Sequence, residues 1–129
     1  RASPEPVRHK KQIETALAKL QQLARRFPSA APDDAMFHAL YFWRFDRPRQ
    51  AIHSFRQSIA LATRLGMTRE KALAQYWLGC FAQTPAGRPL VSEGAAPHFR
   101  DALATSDRIK AAGMSAMIRA AWPFSATKQ

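Results

Sequence analysis

Apolar residues recur at spacings of three and four along most of this chain. Ile13, Leu17, Leu20, Leu23, Ala24 and Phe27 form the first such stripe, and that period predicts an amphipathic helix over residues 8–27. Residues 1–7, with two prolines, read as a linker. The stretch Pro28 to Pro32 breaks the pattern, and Asp33 or Asp34 can cap a second helix through its carboxylate. This second helix, residues 35–45, carries Phe37, Tyr41, Phe42, Trp43 and Phe45. It is apolar nearly all round, so burial on two sides is expected. Asp46-Arg47-Pro48 reads as a turn, with the proline suited to the first turn of a third helix, Pro48–Leu65. Ala51, Ile52, Phe55, Ile59, Ala62 and Leu65 share one face of it, and Gly66 follows as a left-handed cap. A fourth helix is expected over Thr68–Ala82, with Leu73, Tyr76, Trp77, Cys80 and Phe81. After a loop at 84–94 come a fifth helix at 95–111, closed by Gly113, and a short sixth at 114–122, halted by Pro123. Residues 123–129 are expected to fray. The reading is all-α, with no strand.

The third and fifth helices repeat each other. Ala51 aligns with Ala95, Phe55 with Phe99, Ser58 with Ala102 and Ile59 with Leu103, all 44 residues apart. The second and fourth align with a smaller offset, His38 on Leu78 and Ala39 on Gly79. The repeated unit is a helical hairpin, once at 33–66 and again at 68–111. Small residues at Ala39 and Gly79 let two helices of a hairpin approach closely, which predicts Ala39 near Phe55 and Gly79 near Phe99.

This pattern of small and aromatic positions resembles the tetratricopeptide repeat family. Ala39, Phe42, Ala51, Phe55 and Ser58 fit it in one unit, and Leu78, Gly79, Ala95, Phe99 and Ala102 in the other. Ala35 and Gln75 stand where the family prefers tryptophan, and His38 where it prefers leucine. The run Arg64-Leu65-Gly66-Met67, with Ala72-Leu73-Ala74 and Leu78-Gly79, is similar to degenerate regions of this family at the C-terminal ends of bacterial regulatory ATPases and nucleotide cyclases. The resemblance implies a short α-solenoid of antiparallel hairpins over a single domain at 8–122, flanked by helices 8–27 and 114–122. It also implies a cytoplasmic, non-catalytic module for protein–protein interaction, regulation or signalling. In the family the first helix of each hairpin lines the concave surface. Carried onto this chain, that places Met36, Phe37, Leu40, Trp43 and Arg44 on a partner-binding groove. Leu73, Tyr76, Trp77, Cys80 and Gln83 follow from the second unit. The competing expectation for these side chains is packing against a neighbouring helix.

Charge adds a second functional class. The formal net charge is +11, and residues 1–28 alone carry seven basic and two acidic side chains. Arg8, Lys10, Lys11, Arg25 and Arg26, with Arg44, Arg47, Arg49, Arg56 and Arg64, would serve phosphate binding without sequence choice. A basic helical module binding nucleic acid is thus the alternative to a protein or peptide partner. The chain has no asparagine, which disfavours the carboxylate-clamp mode of the tetratricopeptide family. Cys80 is the single cysteine, so no intrachain disulfide can form. Its apolar neighbours Trp77 and Phe81 predict an inert thiol.

His9, His38, His53 and His98 show no strong metal-ligand spacing, Asp101 after His98 being the nearest approach. Glu70, Glu93, Asp101 and Asp107 make no evident acid pair, and no phosphate-cradling glycine loop is present. Neither enzymatic activity nor a cofactor or metal is expected. No apolar run approaches the ~20 residues of a membrane span. Because the chain starts at Arg1 rather than methionine, a fragment of a larger multidomain protein is expected. Its first helix then packs on the second through Leu20, Leu23 and Phe27, and the bare flank left over supports a weak homodimer.

Overall fold

The computed structural model describes residues 4–122, which form six α-helices, one short 3-10 turn and no strand. The helices are α1 (Pro4–Arg26), α2 (Ala31–Arg44), α3 (Pro48–Leu65), α4 (Thr68–Ala82), α5 (Ala96–Arg108) and α6 (Ala112–Ala121). Residues 1–3 of the expected linker and the expected frayed tail at 123–129 lie outside the described residues. The rest of that linker, residues 4–7, is already helical.

Where the sequence offered a proline and a glycine, the helix limits fall as expected. Pro48 opens α3 and Gly66 closes it at φ 69°. The Met67 N–H then reaches the Ala62 carbonyl at 2.8 Å, the six-to-one bond of a Schellman ending. The same bond ends two other helices with no glycine at the left-handed position. Asp46 takes φ 62° while the Arg47 N–H bonds the Phe42 carbonyl at 2.7 Å. Lys110 takes φ 59° while the Ala111 N–H bonds the Ser106 carbonyl at 2.9 Å. Gly113, expected to close the fifth helix, instead lies inside α6. Lys110 is the left-handed residue that closes α5.

The start of α2 also differs from expectation. Pro28–Ala30 forms a 3-10 turn that leads straight into the helix. Asp33 and Asp34 sit in the first turn of α2, and neither caps it by a side-chain hydrogen bond. Their charge favours the helix N-terminus through its dipole instead. Burial of α2 is one-sided in part: Pro32, Ala35, Met36 and Ala39 are buried, but Phe37 is 45% exposed.

Short connections force α2 and α3 to run antiparallel, and α2 packs most extensively on α3, as α4 does on α5. Two apolar cores result. The first joins Ala39, Ala51, Phe55, Leu78, Phe81, Ala82 and Val91, between α2, α3 and α4. The second joins Ala72, Tyr76, Phe99, Ala102, Met114, Ile118 and Trp122, between α4, α5 and α6. Ala39 and Phe55 share the first core. At Gly79 an added Cβ would stand 2.8 Å from the Phe99 ring, so the close approach of α4 and α5 requires glycine there. The 84–94 loop is packed too: Val91 is 2% exposed, and a Cβ on Gly87 would fall on the Phe81 carbonyl oxygen.

Candidate functional site

Helix α1 stands outside both cores. Its partner is α2, and the contact runs through Leu17, which is 9% exposed, and the half-buried Ile13 and Leu20. Leu23 and Phe27, expected in this contact, are 46% and 54% exposed. The helix pair therefore meets nearer the middle of α1 than the apolar stripe alone indicated. Periodicity fixes which face is apolar, not how far along it the neighbour extends.

Between α1 and α2 lies a groove of about 390 Å³, lined by Ile13, Ala16, Leu17, Leu20, Phe37, Leu40, Tyr41, Arg44 and Phe45. Its floor is apolar and one end is cationic. The Lys10 ammonium sits 5.1 Å from the centre of the Phe45 ring, and the Arg44 guanidinium lies 5.0 Å from the same ring. Both contacts have the geometry of cation–π pairs. The Glu14 carboxylate on α1 is engaged: the Tyr41 hydroxyl donates to it at 2.5 Å. That hydrogen bond to Glu14, followed by modest desolvation, raises the Tyr41 phenol above its ordinary pKa, so it stays a neutral donor.

Three residues expected to face a partner, Phe37, Leu40 and Arg44, come together in this groove. The others are placed elsewhere. Met36 is 3% exposed. Trp43 packs edge-on against Phe55 at 6.4 Å and Phe81 at 5.5 Å. Tyr76 is buried against Trp77 at 4.9 Å and Phe99 at 6.2 Å, while Leu73 and Trp77 pack on the second core. The Gln83 amide donates to the Ala121 carbonyl at 3.3 Å, tying α4 to the end of α6. Sequence reading did not place Tyr41 and Phe45 in a groove with Ile13. The available signal was the aromatic excess of α2, too large for one helix–helix contact to cover.

Polar groups away from this groove gather at two further places. On the other side of α2, a crevice of about 380 Å³ holds Asp34, His38, Gln21, Ser54 and Gln57. The His38 Nδ1 meets the Asp34 carbonyl at 2.8 Å and lies 3.1 Å from Asp34 Oδ1, which has no hydrogen-bond partner of its own. The closest His–carboxylate spacing that forms a pair on one helix is thus His38 with Asp34, not His98 with Asp101. His98 pairs with Glu93 at 2.7 Å, not with Asp101. Arg56 grips the same carboxylate through two bonds of 2.9 and 3.1 Å. The Arg56 bonds, aided by His98, hold Glu93 down at about 2. Burial pushes the Cys80 thiol up, and burial plus a bond to Cys80 pushes Tyr76 up to about 12. A thiol so disposed is a poor nucleophile. Among the described residues, no three His, Cys, Asp or Glu side chains group as a metal site, and no helix is long and apolar enough to cross a membrane.

Compared with protein-family models, curated proteins and solved structures, the chain matches none of them.

Proposed function

We propose that this chain is a non-catalytic module for protein–protein recognition or regulation, a short tetratricopeptide-like solenoid whose units are the hairpins α2–α3 and α4–α5. Support for the repeat comes from Phe55 and Phe99, each fully buried and set against a small residue of the preceding helix. The observation that carries the functional reading is the α1–α2 groove. It exposes Phe37 on an apolar floor beside Arg44, and aromatic and arginine side chains are the usual anchors of protein interfaces. The basic surface gives less support to nucleic-acid binding. Its arginines are spread over α1, α2 and α3, and Arg56 is already paired with Glu93.

Selection from a random peptide display library tests this reading. The purified chain is expected to enrich peptides that a Phe37→Glu variant, with unchanged helical circular dichroism, fails to hold. Equal enrichment by both proteins removes the groove from the site. Tight binding of duplex or single-stranded nucleic acid at physiological salt, undiminished in the variant, would favour the phosphate-binding alternative.

A further inference from the structure

The helices of this protein form interlocking triads. In the first, α2 contacts α3 and α4, which contact each other. In the second, α4 contacts α5 and α6, which again contact each other. Each triad has a leading helix seated in the groove between the next two. The leading helix also sends an aromatic side chain into that groove. Trp43 of α2 touches Phe55 of α3 and Phe81 of α4. Tyr76 of α4 touches Phe99 of α5 and shares a core with Met114 and Ile118 of α6.

Helices α1 and α2 repeat the trailing pair of such a triad. They follow one another through a short turn and pack together, as α3 packs on α4 and α5 on α6. The groove between them is the counterpart of the two grooves that α2 and α4 fill, and it is apolar, with Phe37 exposed. Its charge differs from that of a sealed core. Arg44 lines it and Lys10 stands over its Phe45 wall, while Glu14 is bound to Tyr41.

We propose that the α1–α2 groove receives an acidic amphipathic helix from a partner protein, seated as α2 and α4 are seated in the other two triads. This rests on the recognition reading above and specifies its ligand. A helix is favoured over an extended segment because both equivalent grooves take helices. The apolar face of the ligand carries an aromatic residue, as Trp43 and Tyr76 do for their triads, and its flanking carboxylates meet Arg44 and Lys10. A second copy of this chain is a poor occupant, since α1 itself is strongly basic.

The probe is a synthetic peptide of about 18 residues, with tryptophan and leucine at i, i+3, i+4 and i+7 and glutamate on its flanks. Binding is followed by tryptophan fluorescence and circular dichroism. The peptide is expected to gain helix on binding. A central proline, or exchange of its glutamates for lysine, is expected to weaken binding about tenfold or more. Phe37→Glu abolishes binding, and Arg44→Glu shifts preference toward the lysine peptide. A proline-broken peptide that binds equally well overturns the helical ligand but leaves groove recognition standing. Failure of every peptide to bind, with nucleic acid bound instead, overturns both.

Discussion

Two residues at helix ends carry strain that their neighbours make worthwhile. Asp46 and Lys110 adopt the left-handed conformation that a Schellman ending needs, at φ 62° and 59°. For an ordinary L-residue that conformation costs roughly 1–2 kcal/mol. Aspartate tolerates it better, because its short side chain bonds locally. Lysine has no such compensation, so Lys110→Gly is expected to stabilise the protein. The gain is about 0.5 kcal/mol once the extra chain entropy of glycine is set against the relieved strain. Asp46→Gly should gain less. Urea unfolding of the two variants checks the order, and a destabilised Lys110→Gly would show that the lysine side chain is itself needed. Sequence reading placed the fifth helix end at Gly113 because glycine is the usual residue for a left-handed position. It could not foresee that the Ser106–Asp107 region, where Ser106 Oγ bonds the Ala111 carbonyl at 3.0 Å, would hold a lysine there.

A second residue-scale outcome concerns Glu93, which joins the loop after α4 to α3 through Arg56 and to α5 through His98. Its carboxyl is held at about 2 against an ordinary 4.5. A depressed carboxylate contributes stability above the unfolded value and loses it as pH falls through the folded one. Both partners are partly exposed, at 46% for Arg56 and 33% for Glu93, so solvent screening limits the contribution to about 1 kcal/mol. Glu93→Gln is therefore expected to cost that amount at neutral pH. The gap to the parent protein should close as pH falls from about 4.5 to about 2. A pH-independent gap would assign the effect to packing. None of this was legible in the sequence, since Arg56 and Glu93 lie 37 positions apart.

At the scale of elements, the limits of α3 and α4 were readable because proline, glycine and threonine mark them. The register of α1 on α2 was not. The stripe continues evenly from Ile13 to Phe27, and only the angle between the helices decides which part is covered. Leu17 is 9% exposed, whereas Leu23 is 46% exposed. Leu17→Ala is accordingly expected to cost about 2 kcal/mol, the low end for a leucine truncation because α2 covers one side only. Leu23→Ala should stay within about 0.5 kcal/mol. Thermal unfolding of the pair decides between the two registers, and the reverse order would restore the contact expected from the stripe. Phe37, Leu40 and Arg44 were expected on a surface shared with the fourth helix, and the structure places them beside α1 instead. The groove's other wall, Ile13 to Leu20, needed knowledge of that same register.

At the scale of the whole molecule, apolar surface and charge oppose each other. Leu23, Phe27 and Phe37 are exposed large hydrophobics, and burying about 200 Å² of such surface would contribute about 5 kcal/mol. That barely meets the cost of about 4–15 kcal/mol for bringing two molecules together. Each copy also carries a net charge of +11, so two copies repel. Added salt shortens the reach of that repulsion, to about 8 Å at physiological strength, and leaves the apolar attraction intact. Sedimentation is therefore expected to show monomer at low ionic strength, with a weak, concentration-dependent dimer emerging as salt rises. An acidic helix in the α1–α2 groove should behave oppositely and loosen as salt rises, because screening removes its attraction to Arg44 and Lys10. The two salt slopes have opposite signs, so one series of measurements separates self-association from partner binding. A dimer that is tightest at low salt would place an acidic surface of this chain against its own basic helix, and would make a second copy the better candidate for the groove.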